Sequence, residues 1–315
     1  VTFAGGSDIV ITGNLGATNI LKAITTDITG EGAAANTFTG TIGVTTMTIT
    51  GTNNVDEVIL QGDVTGNIAI VNGALISVAA DKKIIGNVTT TDNDGILTFA
   101  AATVNTTVVS GNVGTGGGND LTAVNLATGS GITTTFGGTV DALSVDVTGA
   151  GIVAFTDDVT TAELIDAGDA TYNITADKKF VGSIDTDAGA NEGTFNFAAT
   201  TTDTVLVSGT VGDTRSVKAI TVAPATGVTA TFTGLVKALT ITQSGVGTAL
   251  YNGGVIGNIN LAADGIVSFG GADTITGNID NTTGTDGAGT VNFDAAADIN
   301  ITGNLGATNS LKAIT

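Results

Sequence analysis

Apolar and polar residues alternate in short runs along this chain. The runs Ile9-Val10-Ile11, Thr45 to Thr50, Val104 to Val109, Leu143 to Val147 and Leu239 to Thr242 show the pattern. A two-residue period puts successive side chains on opposite faces of a strand. Clusters of Gly, Asn, Asp and Thr separate the runs, and these residues favour turns. No stretch carries a helical stripe of useful length. The recurring LKAIT is too short and too β-branched to count as one.

The runs belong to a repeat. Residues 1–25 read VTFAGGSDIVITGNLGATNILKAIT, and residues 291–315 read VNFDAAADINITGNLGATNSLKAIT. Diverged copies begin at Phe99 (FAAATVNTTVVSGNVG) and Phe197 (FAATTTDTVLVSGTVG). Phe3, Phe99, Phe197 and Phe293 thus mark units of about 97 residues, near 3–98, 99–196, 197–292 and a partial 293–315. Phe38, Phe136 and Phe232 keep the same register, as do ADKKIIGNV (80–88) and ADKKFVGSI (176–184).

A shorter period lies inside the long one. Gly, a small or polar residue, then an aliphatic one recur at Gly13-Asn14, Gly66-Asn67, Gly86-Asn87, Gly111-Asn112, Gly257-Asn258, Gly277-Asn278 and Gly303-Asn304. One instance is degraded, around Thr160 to Leu164. The spacing predicts coils of about 24 residues, about four to each long repeat. Such a coil cannot bury its apolar face alone, but stacked on its neighbours it builds a continuous core. The expected fold is therefore all-β, a right-handed parallel β-solenoid running as one domain through residues 1–315. Gly is expected where the chain turns a corner with positive φ. The Asn beside it could stack as a hydrogen-bonded ladder. The alternative is a tandem array of β-sandwich domains of about 97 residues each.

Composition narrows the chemistry. Gly supplies 47 residues, Pro and Met one each, and Cys, His and Trp none. The net charge is −20, from 29 acids against 9 bases, a field that repels nucleic acid and anionic membrane surfaces. No apolar run approaches the roughly 20 residues that a membrane helix needs. The only close acid pairs are Asp157-Asp158 and Asp56-Glu57, and Arg215 is the sole arginine. Without His or Cys no Ser-His or Cys-His nucleophile can form, so the sequence reads as a non-enzyme.

The segment GNIDNTTGTDGAGTVNFDAAADINITGNLGATNSLKAIT (277–315) resembles the passenger regions of the large surface autotransporters of rickettsiae, of the outer-membrane protein A and B type. Those regions carry blocks of the form G-x-I-D-N-T, G-x-V-x-F and T-G-N-I-G-x-T-N-x-L. The resemblance implies a secreted β-helical passenger displayed on an outer membrane, acting in surface coating or adhesion. The chain begins and ends inside a repeat and is read as an excerpt of something longer.

One loop per long repeat is acidic and Gly-rich: TTTDNDGILTF (89–99), DTDAGANEGTFNF (185–197) and DNTTGTDGAGTVNF (280–293). Asp92 and Asp94, Asp185 and Asp187, and Asp280 and Asp286 could supply hard oxygen ligands to Ca²⁺. They could equally be solvated turn residues, since their number and spacing differ among the three copies. No other cofactor is suggested. Asp81-Lys82-Lys83 and Asp177-Lys178-Lys179 put basic spots at one corner of two repeats, as solvated turns or contacts to an acidic neighbour. The expected function is a stiff acidic rod that coats, spaces or attaches at a bacterial surface. Its expected partners are neighbouring copies of itself and, through the resemblance, a host-cell receptor. The alternatives are a Ca²⁺-dependent surface-layer protein and a glycan-binding or glycan-cleaving solenoid fibre.

Overall fold

A computed structural model describes residues 1–4, 8–29, 35–52, 56–117, 120–187, 189, 191–271, 274–294 and 299–315. No helix occurs among them, and their strands stack in parallel as a β-solenoid. The chain divides into two compact units, Val1–Ala162 and Glu163–Thr315. Together these hold about fourteen turns, with neighbouring turns about 21 residues apart. The degraded repeat around Thr160 still forms a strand, Val159–Asp166.

The first unit has three faces. Face 1 stacks Thr2–Ala4, Leu21–Asp27, the later parts of Ile42–Thr50 and Val64–Val71, and Val88–Thr90. Face 2 stacks Ile9–Ile11, Ala35–Phe38, Glu57–Leu60, Leu75–Val78, Ile96–Phe99, Leu121–Ala127 and the later part of Val140–Thr148. Face 3 runs from Leu15 through Ile42, Val64, Ile84 and Val109 to Thr133–Phe136 and Ile152–Phe155.

The second unit has three ladders of the same kind. One joins Phe180, Val207, Phe232, Tyr251, Phe269 and Phe293. Another joins Ile184, Val211, Val236, Val255, Ile275 and Ile301. The third joins Phe195, Ile220, Ile241, Ile259, Ile279 and Leu305. All these pairings are parallel, whereas a sandwich domain needs antiparallel pairs, so the tandem-sandwich alternative is overturned.

The turn spacing is slightly shorter than the expected coil, and about four turns do fall in each long repeat. Single steps between turns range from 18 residues (Glu57 to Leu75) to 28 (Thr106 to Thr134), with about 21 typical rather than 24. The Gly landmarks also do not stay on one face. Ile42, after Gly40-Thr41, lies on face 3, whereas Ile68, after Gly66-Asn67, lies on face 1. The interval from Gly40 to Gly66 therefore covers one turn and one face more.

The long repeat shows the same slippage. From Phe3 on face 1 to Phe99 on face 2 the chain visits a face thirteen times, which is four turns and one face more. Phe38 and Phe136 likewise fall on faces 2 and 3. In the second unit Phe197 and Phe293 also fall on different ladders, thirteen visits apart. Within each unit, equivalent positions one repeat apart therefore lie one face apart, not one above another.

The inward positions make the core. Ile24, Met47, Ile49, Val58, Leu60, Ile68 and Ile70 are fully buried in the first unit, as are Val207, Ile220, Phe232, Ile241 and Ile259 in the second. Each such side chain contributes about 1.5–3 kcal/mol relative to exposure. Paired phenylalanines meet edge-to-face across a corner: Phe3 with Phe38 at 5.7 Å, Phe99 with Phe136 at 6.1 Å and Phe197 with Phe232 at 5.7 Å. This contact accounts for the two Phe landmarks in each repeat. Up one ladder, Phe232, Tyr251, Phe269 and Phe293 stack ring on ring at 5.2–5.9 Å.

Candidate interaction surface

The corners carry most of the polar chemistry, beginning with the Gly-Asn pairs. Gly66 holds φ at +135°, and a Cβ there would lie 1.6 Å from the Val44 carbonyl oxygen of the turn below. Gly13, Gly86, Gly257, Gly277 and Gly303 share the positive φ. Gly111 does not. Its glycine is required by close approach instead, since a Cβ would lie 2.2 Å from the Asn87 amide oxygen.

That oxygen has a specific task. The Asn87 side chain accepts the backbone N–H of Asn112 at 2.8 Å, and Asn67 accepts that of Asn87 at 3.0 Å. Asn14 and Asn112 accept from Thr41 and Thr139. In the second unit Asn258 accepts from Asn278, which accepts from Asn304. The ladder therefore runs from side-chain oxygen to main-chain N–H one turn on. It satisfies donors that a corner would otherwise leave to solvent.

Aspartates do the same at other corners. Asp81, at φ +61°, accepts the N–H and hydroxyl of Thr103 and the N–H of Val104. Asp177, at φ +65°, accepts both N–H and both hydroxyl groups of Thr200 and Thr201. These hydrogen bonds hold both carboxyls below the usual carboxylate range, Asp177 far below. The repeated Asp-Lys-Lys corner is thus explained by its aspartate, which clamps the following turn.

Three of the six proposed calcium ligands, Asp185, Asp280 and Asp286, lie in similar roles. Asp185 accepts from the backbone of Thr186, Thr214 and Arg215. Burial opposes its ionisation, but these bonds outweigh it and its pKa is lowered. Asp280 accepts from Thr308 with both oxygens, and Asp286 accepts the N–H and hydroxyl of Ser310. Asp187 faces the Arg215 guanidinium at 3.7 Å. The backbone carbonyl of Asp92 accepts from Asp94 and Thr90 within an exposed turn. Among the described residues no three acidic side chains converge in a geometry that would hold a metal ion. Residues 188 and 190 of the second loop lie outside the described residues.

A second device, not legible from residue order, is an ion pair across two turns. Asp169 accepts the Gly193 N–H with one oxygen and meets the Lys218 ammonium at 2.6 Å with the other. Asp264 treats Gly289 and Lys312 in the same way, with 2.8 Å to the ammonium. The signal available was a pair of aspartates 48–49 residues before a lysine, too sparse to notice without register. A hollow of about 280 Å³ lies beside Arg215, lined also by Glu163, Ile165, Asp185, Asp187 and Thr214. Asp185 is engaged by loop backbone and Asp187 by the guanidinium.

Inside, Asp166 is fully buried and caps its own turn, accepting from Ala170 N–H and the Tyr172 hydroxyl. Desolvation raises its pKa and that of the half-buried Asp141. The corner chemistry is therefore that of backbone fastening, with acids and amides as acceptors for the next turn.

Outer membrane protein A of Rickettsia rickettsii is similar to this chain, at 30% identity over 96% of its length. The chain spans 14% of that protein. The resemblance read in residues 277–315 thus extends over nearly the whole sequence. No family model and no solved structure matches.

Proposed function

We propose that this chain is a segment of a bacterial surface protein, a non-catalytic acidic solenoid that spaces or coats. The observation that carries this reading is the use of the corner side chains. Asn67, Asn87, Asp81, Asp177, Asp185 and Asp280 each accept main-chain N–H groups of a neighbouring turn. A chain that spends its exposed acceptors on joining turn to turn is suited to holding form without a partner. The similarity to a rickettsial outer membrane protein supports the surface location. The net charge of −20 favours solubility and keeps copies from collapsing onto one another. Attachment to host cells is the finer part of the proposal and rests on that similarity alone.

Immunogold electron microscopy of intact, unpermeabilised cells tests the location, using antibody raised against this segment. Gold on the outer surface is expected. Labelling that requires permeabilisation would overturn the proposal.

A further inference from the structure

Thirteen face visits per repeat on a three-faced solenoid have a consequence for what the surface can meet. Thr37 and Thr135 are equivalent residues of the first two repeats, in ANTF and TTTF. Both point outward from the middle of a strand, with the same alternation of burial around them. Thr37 lies on face 2, in the ladder Thr37, Ile59, Ser77, Thr98, Asn125. Thr135 lies on face 3, between Thr107 and Ala154. In the second unit Phe197 and Phe293 show the same displacement.

We infer that the repeat length is a display device: within each unit, a surface feature that recurs one repeat on is presented from a different face. This rests on the proposed surface role and specifies the partner. A flat, extended partner such as a crystalline surface needs every copy on one side. A repeat of twelve visits would give that, because each copy would then sit above the last. Within a unit, thirteen visits instead suit separate partner proteins, one on each equivalent copy, approaching from different sides. Direct stacking would place equivalent features about 19 Å apart after four turns, closer than two ordinary globular proteins can bind side by side. Turning each copy by one face removes that crowding.

The chain has no cysteine, so paired cysteines can be biotinylated cleanly. Thr37→Cys with Thr135→Cys forms the equivalent pair. Thr37→Cys with Asn125→Cys forms a same-ladder control at four turns. Tetrameric streptavidin in excess, through short linkers, is counted per chain by light scattering. Two streptavidins on the equivalent pair and one on the control are expected. One on each would show the equivalent copies share a side, and two on each would show that ladder spacing does not limit binding; either overturns the inference. Single-cysteine chains must each bind one, which verifies folding and labelling. The readout is independent of cellular location, so the surface proposal and this one can fail separately.

Discussion

Tyr172 and Tyr251 are both buried, but only one has a hydrogen-bond partner. The Tyr172 hydroxyl donates to Asp166 at 2.9 Å, whereas the Tyr251 hydroxyl sits within a stack of rings with no partner. Burial raises the Tyr251 pKa, and that of Tyr172 is raised further by the Asp166 charge. Tyr251→Phe is expected to leave stability unchanged or raise it by up to about 1 kcal/mol. Tyr172→Phe is expected to cost about 1–3 kcal/mol, because a buried acceptor loses its donor. Urea unfolding midpoints of the two variants check the contrast. Neither difference is legible in the sequence, where both tyrosines stand in similar alternating strands. The Phe landmarks were legible because a large ring at a fixed step needs no register to be seen. Asp166, Gln243 and Asn281, all fully buried, were not. Each ends an inward row at a corner, where a polar side chain can bond the loop backbone from within.

At the scale of the element, the corner glycines divide into two kinds. Gly66→Ala meets both an unfavourable φ and the Val44 carbonyl, and is expected to cost more than the roughly 1–3 kcal/mol of backbone strain alone. Gly227→Ala has positive φ but open space, and is expected to cost about 1 kcal/mol. Thermal melts of the two variants, read by circular dichroism, test the ranking. The clamps make a pH prediction. Asp81, Asp177, Asp185, Asp264, Asp280 and Asp286 have folded pKa values below the carboxylate norm of 3.8. Their contribution is complete above about pH 5 and is lost as pH falls below about 4, where the unfolded chain takes up protons first. Asp141 and Asp166, with raised values, act in the opposite sense and partly offset the loss. Melting temperature should be level from pH 7 to about 5 and drop below about 4, less steeply in Asp177→Ala. The two-residue alternation foretold these strands, since period two has one structural meaning. It could not foretell which turn a corner aspartate would clamp, because that depends on loops of unequal length.

At the scale of the molecule, the proposed role asks for stacked turns held without a metal. If the acidic loops are fastened by backbone donors, EDTA should leave the melting temperature unchanged. A drop of several degrees would favour the calcium-dependent reading of Asp92, Asp185 and Asp280. The parallel solenoid was legible because the chain repeats on two scales. The one-face advance per repeat was hidden, since turn steps range from 18 to 28 residues and only pairing reveals it. Distance measurement between spin labels tests that advance most directly. Labels on Thr37→Cys and Asn125→Cys share a ladder over four turns, so their backbone attachment points should lie about 19 Å apart. Labels on Thr37→Cys and Thr135→Cys should lie distinctly farther apart, because they point from different faces. Equal distances for the two pairs would mean that these repeats stack directly, and would contradict the three-faced repeat of thirteen face visits.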